Sequence, residues 1–219
     1  MRILVTAGPT REYIDDVRFL SNASSGRMGY SITEAAITRG HEVVLVTGPV
    51  ELPAPAAAEV HRIETTDELR ARCLELFPQC DGVIATAAVC DFRPRECVVG
   101  KMTKTGRPMV LELVETSDVL AELGDQKAHR WVVGFALESQ DPRTNAMRKL
   151  RMKHCDCIAV NDTDAISSLE NHIEILSPEA ETMAVFHGPK TEIAVQLIDF
   201  VESSIHVTRD AEPDVGTDS

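Results

Sequence analysis

Three segments carry residue types suited to holding anions. The first is 8–29, which ends Asn22-Ala23-Ser24-Ser25-Gly26-Arg27-Met28-Gly29. It joins a strand-like apolar run to a helical pattern, and such connections usually take only about two to six residues. Ser24, Ser25 and Gly26 fall where the helix begins. The free N–H groups and dipole at a helix N-terminus favour an anion there, although the segment could also serve only as a cap and a packed loop. The second segment is Ala87-Ala88-Val89-Cys90-Asp91-Phe92-Arg93-Pro94, followed by Lys101-Met102-Thr103-Lys104. Small residues after a buried strand let a ligand approach the backbone closely. Asp91 could accept ribose hydroxyls, and Lys101 and Lys104 could close over phosphates. Five basic residues and little apolar content between Asp91 and Arg107 read as an exposed flap, functional or merely solvated. The third is Lys149-Leu150-Arg151-Met152-Lys153. Lys149 and Lys153 are four apart on a helical pattern and share a face, where a shared anion would offset their repulsion. Phe135, in Val133-Gly134-Phe135-Ala136, could stack on a base or face the core, and Val160-Asn161-Asp162 closes a strand at the same level.

Several other chemistries lack their residues. There is no GxGxxG dinucleotide fingerprint, since Ala7-Gly8-Pro9-Thr10-Arg11-Glu12 holds one glycine, and no GxxxxGK[ST] phosphate loop. No Tyr-x-x-x-Lys dyad is present. The six cysteines form no CxxC pair, so the reading is of reduced, mostly buried thiols in a cytoplasmic protein rather than a disulfide framework or a zinc site. A net charge of −13 disfavours general nucleic-acid binding, but an acidic chain can still bind a small anion at a locally basic site.

The positioning elements follow from the periodicity. Strands are expected at Arg2–Ala7, Glu42–Thr47, Val60–Ile63, Gly82–Ala88, Met109–Val114, Trp131–Ala136 and Cys157–Val160, with a hairpin at Ile173–Leu176 and Met183–Phe186. Helices are expected at Gly26–Arg39, Asp67–Phe77 with Thr66 as N-cap, Ser117–Leu123, Pro142–His154 and Lys190–Glu202. The alternation predicts an α/β fold, a Rossmann-like mostly parallel sheet flanked by helices, with a basic flap and a small hairpin. Ligands of such sheets bind beyond the carboxyl ends of the strands, which directs attention to 7–26, 47–58, 87–107, 135–141 and 160–171. No apolar run approaches the roughly 20 residues of a membrane helix, and the N-terminus does not read as a secretory signal.

The segments quoted above, with Thr6-Ala7-Gly8-Pro9-Thr10-Arg11-Glu12 and Val17-Arg18-Phe19-Leu20-Ser21 preceding Asn22, together resemble phosphopantothenate–cysteine ligase (phosphopantothenoylcysteine synthetase). This family is the second coenzyme A biosynthesis domain of a bacterial bifunctional protein. The resemblance implies that 4′-phosphopantothenate is activated by CTP, with loss of pyrophosphate, and that the amine of cysteine then attacks the acyl-cytidylate and releases CMP. Some stand-alone relatives use ATP. It implies Mg²⁺ with the triphosphate, with no protein ligand named, and a homodimer with the flap near the partner. Asn22 matches the asparagine that holds the acyl intermediate, and Lys101 the flap lysine on the phosphates. Ala87, Ala88, Val89, Asp91, Gly134, Phe135, Lys149 and Lys153 match nucleotide-binding positions, while Asn22, Ser24, Ser25 and Gly26 fall at the substrate or anion end. The expected domain is 1–203, with a disordered acidic tail over 204–219, and the usual flavin-dependent decarboxylase domain in front is not part of the sequence. Three departures stand out. Pro9 replaces the second glycine of the usual Gly-Gly-Thr, Cys90 a common alanine, and Lys101-Met102-Thr103-Lys104 has one lysine fewer than the usual flap motif. The alternative readings are an NAD(P)-dependent reductase on the same fold and a nucleotide-binding regulator without catalysis.

Overall fold

The computed structural model describes residues 1–138, 141–162 and 170–206. The chain opens with β1 (Arg2–Ala7), then β2 (Arg11–Tyr13) and β3 (Phe19–Ser21), which pair as a hairpin before α1 (Arg27–Thr38). β4 (Glu42–Thr47), β5 (Glu59–Arg62), α2 (Thr66–Leu76) and β6 (Gly82–Ala85) follow. The flap lies between two short paired strands, β7 (Phe92–Pro94) and β8 (Leu113–Glu115). The remainder is α3 (Val119–Asp125), β9 (Trp131–Glu138), α4 (Pro142–Met152), β10 (Cys157–Asp162), β11 (Glu170–Leu176), β12 (Thr182–Pro189) and α5 (Lys190–Phe200).

Among the described residues, eight strands make one sheet in the order β12-β11-β10-β9-β6-β1-β4-β5. It is parallel from β5 to β10 and antiparallel at β11 and β12. The mostly parallel α/β sheet read from the sequence is therefore the fold, with the expected hairpin as its edge. Central strands are apolar on both faces because both are covered. Ile3, Val5 and Ala7 pack with α1 and α5 on one side. Leu4, Val44 and Val83 pack with α2, α3 and α4 on the other. From β1 the chain runs outward to β4 and β5, then returns to the opposite side of β1 as β6. That reversal leaves a crevice above the carboxyl ends of β1 and β6.

Local chemistry moved several boundaries. The N-cap of α2 is Thr65, not Thr66, because only Thr65 stands three residues before Glu68 and closes a capping box with it. The Thr66 hydroxyl instead pairs with that of Thr10 at 3.1 Å. β6 stops at Ala85 rather than Ala88, since Thr6 and Thr86 hydroxyls take over the ladder: Thr86 Oγ1 donates to the Thr6 carbonyl and the Ala87 N–H to Thr6 Oγ1. The expected strand at Met109–Val114 shrinks to Leu113–Glu115, because no sheet face covers Met109 and Val110, which are 64% and 93% exposed. At the C-terminus the helical path continues through His206, with Val201 and Ile205 buried. The expected tail lies, from 207 on, outside the described residues.

Helix α1 reaches the sheet because Gly29 has no side chain. A Cβ there would lie 2.5 Å from both Ala7 Cβ and Thr86 Oγ1. Gly29→Ala should therefore overpack this contact and cost about 1–3 kcal/mol. Urea unfolding should show this as a lower midpoint at unchanged slope.

Candidate active site

The long insertion and the segment after β6 are joined at the crevice. The Asn22 Nδ2 group donates to the carbonyls of Ala88 at 3.2 Å and Val89 at 2.8 Å. Two carbonyl acceptors fix which end of the amide is nitrogen, so Oδ1 is the end left without a partner among the described residues. Behind Asn22, the Thr10 N–H donates to the Ala88 carbonyl and the Cys90 N–H to Thr10 Oγ1. These bonds hold the 87–90 backbone in place without a regular strand. The Thr116 hydroxyl donates to the Cys90 carbonyl at 2.6 Å and draws the end of β8 to the same edge.

A cavity of about 930 Å³ opens here, near the top of the range for small-molecule sites. Asn22, Ser24, Ser25 and Gly26 line it at the start of α1, where the Gly26 N–H faces Ser24 Oγ at 3.4 Å. Ala87, Ala88, Val89 and Asp91, after β6, also line it, as do Phe135 of β9, Lys149 of α4 and Lys153 just beyond that helix. Gly134 does not line it and lies buried against Cys155 and Leu120. Lys101 does not line it either. It is exposed on the flap, whose root is tied to the β2–β3 turn.

Sequence reasoning passed over five charged residues of the cavity: Arg27, Glu115, Asp118, Arg148 and Lys190. Asp118 caps α3 by accepting from the Ala121 N–H and pairs with Lys153 Nζ at 3.2 Å, and both residues line the cavity. The two helices come this close because Gly124 abuts the chain after α4; a Cβ there would lie 2.0 Å from the Lys153 carbonyl oxygen. An N-cap aspartate before an apolar helix was a readable signal for Asp118. Lys190 begins α5, and nothing local in the sequence marks it as reaching α1. Burial, and then the charge of Arg27, lower its pKa. Five cations face three carboxylates around the cavity, in a chain of net charge −13. The local field therefore favours an anion.

The family described as DNA/pantothenate metabolism flavoprotein C-terminal domain matches residues 1–205. The chain belongs to this family. It is 44% identical over 164 residues to the coenzyme A biosynthesis bifunctional protein CoaBC of Bacillus subtilis, covering 74% of this chain and 40% of that protein. The chain thus spans less than half the length of that relative. Among solved structures it is similar to the C-terminal domain of a CoaBC protein, 36% identical with a TM-score of 0.76, covering 92% of this chain and 93% of that one. The fold is also that of a Cab2 mutant solved with phosphopantothenate-cysteine, at 15% identity and a TM-score of 0.81, covering 95% of this chain and 86% of that one. No helix of the described residues is long and apolar enough to cross a membrane. All six cysteines are free, and five of them are buried.

Proposed function

We propose that this chain is a phosphopantothenate–cysteine ligase of coenzyme A biosynthesis that uses CTP. One observation carries the reading. A cationic cavity at the switch point of the sheet is lined by an asparagine with a free acceptor, a helix N-terminus, an aromatic ring and two lysines. The match over residues 1–205 supports it.

The chemistry needs this arrangement. A carboxylate is a poor acyl donor until one of its oxygens becomes part of a good leaving group. In the first step the carboxylate of 4′-phosphopantothenate attacks the α-phosphorus of the nucleotide and pyrophosphate leaves. Catalysis of such a step is mostly alignment and neutralisation of phosphate charge. Lys149, Lys153 and the start of α1 supply cationic character to the cavity, Phe135 offers a face for the base, and Asp91 an acceptor for ribose. In the second step the cysteine amine attacks the acyl carbon, loses a proton and displaces CMP. Asn22 Oδ1 accepts from the amine N–H and aims its lone pair, while the two N–H bonds to Ala88 and Val89 keep the amide from turning. Magnesium enters with the triphosphate as part of the substrate. Among the described residues no cluster of three or more His, Cys, Asp or Glu could hold a metal, so no resident ion is assigned. Lys101 completes the site from the flap of a second copy in a homodimer. A reductase reading is not favoured, since neither the glycine fingerprint nor the family supports it.

The test is pyrophosphate release from phosphopantothenate, cysteine and Mg²⁺ with CTP or ATP. Release is expected with both acids present and faster with CTP. No release with either nucleotide would overturn the ligase reading, and a preference for ATP would overturn the choice of base.

A further inference from the structure

Asp15 is a charged residue with no place in the chemistry above, yet its side chain is fully buried. It lies in the turn between β2 and β3, between the exposed residues Asp16, Val17 and Arg18 and the half-buried Ile14. A buried carboxylate is costly unless its oxygens are fully engaged. Here they are. Oδ1 accepts from the backbone N–H groups of Val17 at 2.8 Å and Arg18 at 2.7 Å, which closes the turn. Oδ2 looks the other way. It accepts from the Met102 N–H at 3.0 Å and from the Arg18 guanidinium. That guanidinium donates in turn to the Met102 carbonyl at 3.3 Å, so both polar backbone groups of Met102 are held.

Met102 follows Lys101 directly. Around it the flap has little else to hold it: Val99 is 95% exposed, and residues 103–110 are all exposed. Two further bonds tie the same stretch to the same turn, Val98 N–H to the Ile14 carbonyl at 2.9 Å and Gly100 N–H to Asp16 Oδ2 at 3.1 Å. The other arm of the hairpin, β3, runs straight into Asn22. One carboxylate thus spans two segments some 80 residues apart in the chain, one bearing Asn22 and the other Lys101.

We propose that Asp15 is a positioning residue that latches the root of the flap and so sets where Lys101 is presented. The proposal rests on the ligase reading for the task of Lys101, but the latch itself is a matter of geometry. Burial alone would raise the Asp15 pKa; the N–H groups of Val17, Arg18 and Met102 and the Arg18 side chain outweigh it and hold it at about 2. The latch is therefore charged throughout the working range of pH.

The chemistry of the two oxygens separates latch from turn. Asp15→Asn keeps an acceptor for the turn and puts an NH₂ group against the Met102 N–H and Arg18, where an acceptor is required. Amide exchange at Met102 should accelerate by about tenfold or more, with exchange across β1, β6 and β9 unchanged. Pyrophosphate release at saturating CTP should fall about tenfold, with KM for CTP within about twofold, because a displaced reactive group costs rate rather than ground-state binding. In a Lys101→Ala background the same substitution should cost less than about twofold, since the two act as a unit. Met102→Pro, which deletes the donor and with it the Met102 amide, leaves Asp15 intact; it should reproduce the fall in pyrophosphate release and its dependence on Lys101, with exchange read at the neighbouring Val98 and Gly100 amides, and it stands in if Asp15→Asn unfolds. Equal losses with and without Lys101, or unchanged Met102 exchange, would overturn the latch. A wild-type chain that releases no pyrophosphate would overturn the ligase reading instead, and the exchange arm would still decide the latch.

Discussion

Asn22→Ala should slow amide formation by about 10²-fold or more while changing nucleotide affinity by no more than about threefold. The asymmetry comes from how the side chain is used. Both Nδ2 hydrogens are committed to the Ala88 and Val89 carbonyls, so the side chain offers a ligand an acceptor and no donor. An acceptor has nothing to offer a triphosphate, but it can hold the N–H of an attacking amine. Alanine removes that acceptor and leaves the cationic groups in place. In a quenched-flow experiment the variant should release pyrophosphate in a burst and accumulate acyl-nucleotidylate, with CMP appearing slowly. Equal loss in both half-reactions would contradict the assigned role. Asn22→Asp should be worse than alanine. Its oxygens would face two carbonyl oxygens, at spacings now 2.8 and 3.2 Å, and its charge would oppose the triphosphate.

Lys101→Ala should cut pyrophosphate release by about 10²-fold, because it removes a cation from developing phosphate charge. Its position makes a second result informative. Lys101 is outside its own cavity, held at the turn of the β2–β3 hairpin. If a flap serves the cavity of a partner, chains carrying Asn22→Ala alone and Lys101→Ala alone should rescue each other. In a mixed dimer one site pairs an intact cavity with an intact flap. An equal mixture at random exchange should then recover about a quarter of wild-type activity. Each variant alone should stay near its own residual level. No recovery after subunit exchange, with dimers shown by light scattering, would place the flap on its own cavity.

The two predictions rest on features of unequal legibility in the sequence. Asn22, Ser24 to Gly26, Ala87 to Val89 and Asp91 were readable as candidate site residues because they follow a strand or open a helix, and such ends converge in a parallel sheet; Lys149 and Lys153 were readable because residues four apart share a helix face, and Phe135 only through the family resemblance. They do line one cavity. Thr65 was misjudged by one position, since two adjacent threonines both offer a capping hydroxyl and only the distance to Glu68 discriminates. The β2–β3 hairpin was missed. Its strands have three residues each, too short for alternation to register, and they are stabilised by the Tyr13–Phe19 ring contact at 5.7 Å and by Arg11 over Phe19 at 4.4 Å.

By itself the sequence determined a mostly parallel sheet covered by helices and which segments follow its strands, because periodicity, caps and turn residues act over a few neighbours. The partners of charged groups were decided only in three dimensions. Asp15 meets Met102, Asp118 meets Lys153, the charge of Arg27 acts on Lys190, and Lys101 is not among the residues lining its own cavity. Each of these depends on chain distant in sequence, where electrostatic and hydrogen-bond energies fall off within a few ångströms and no local pattern records which group will arrive.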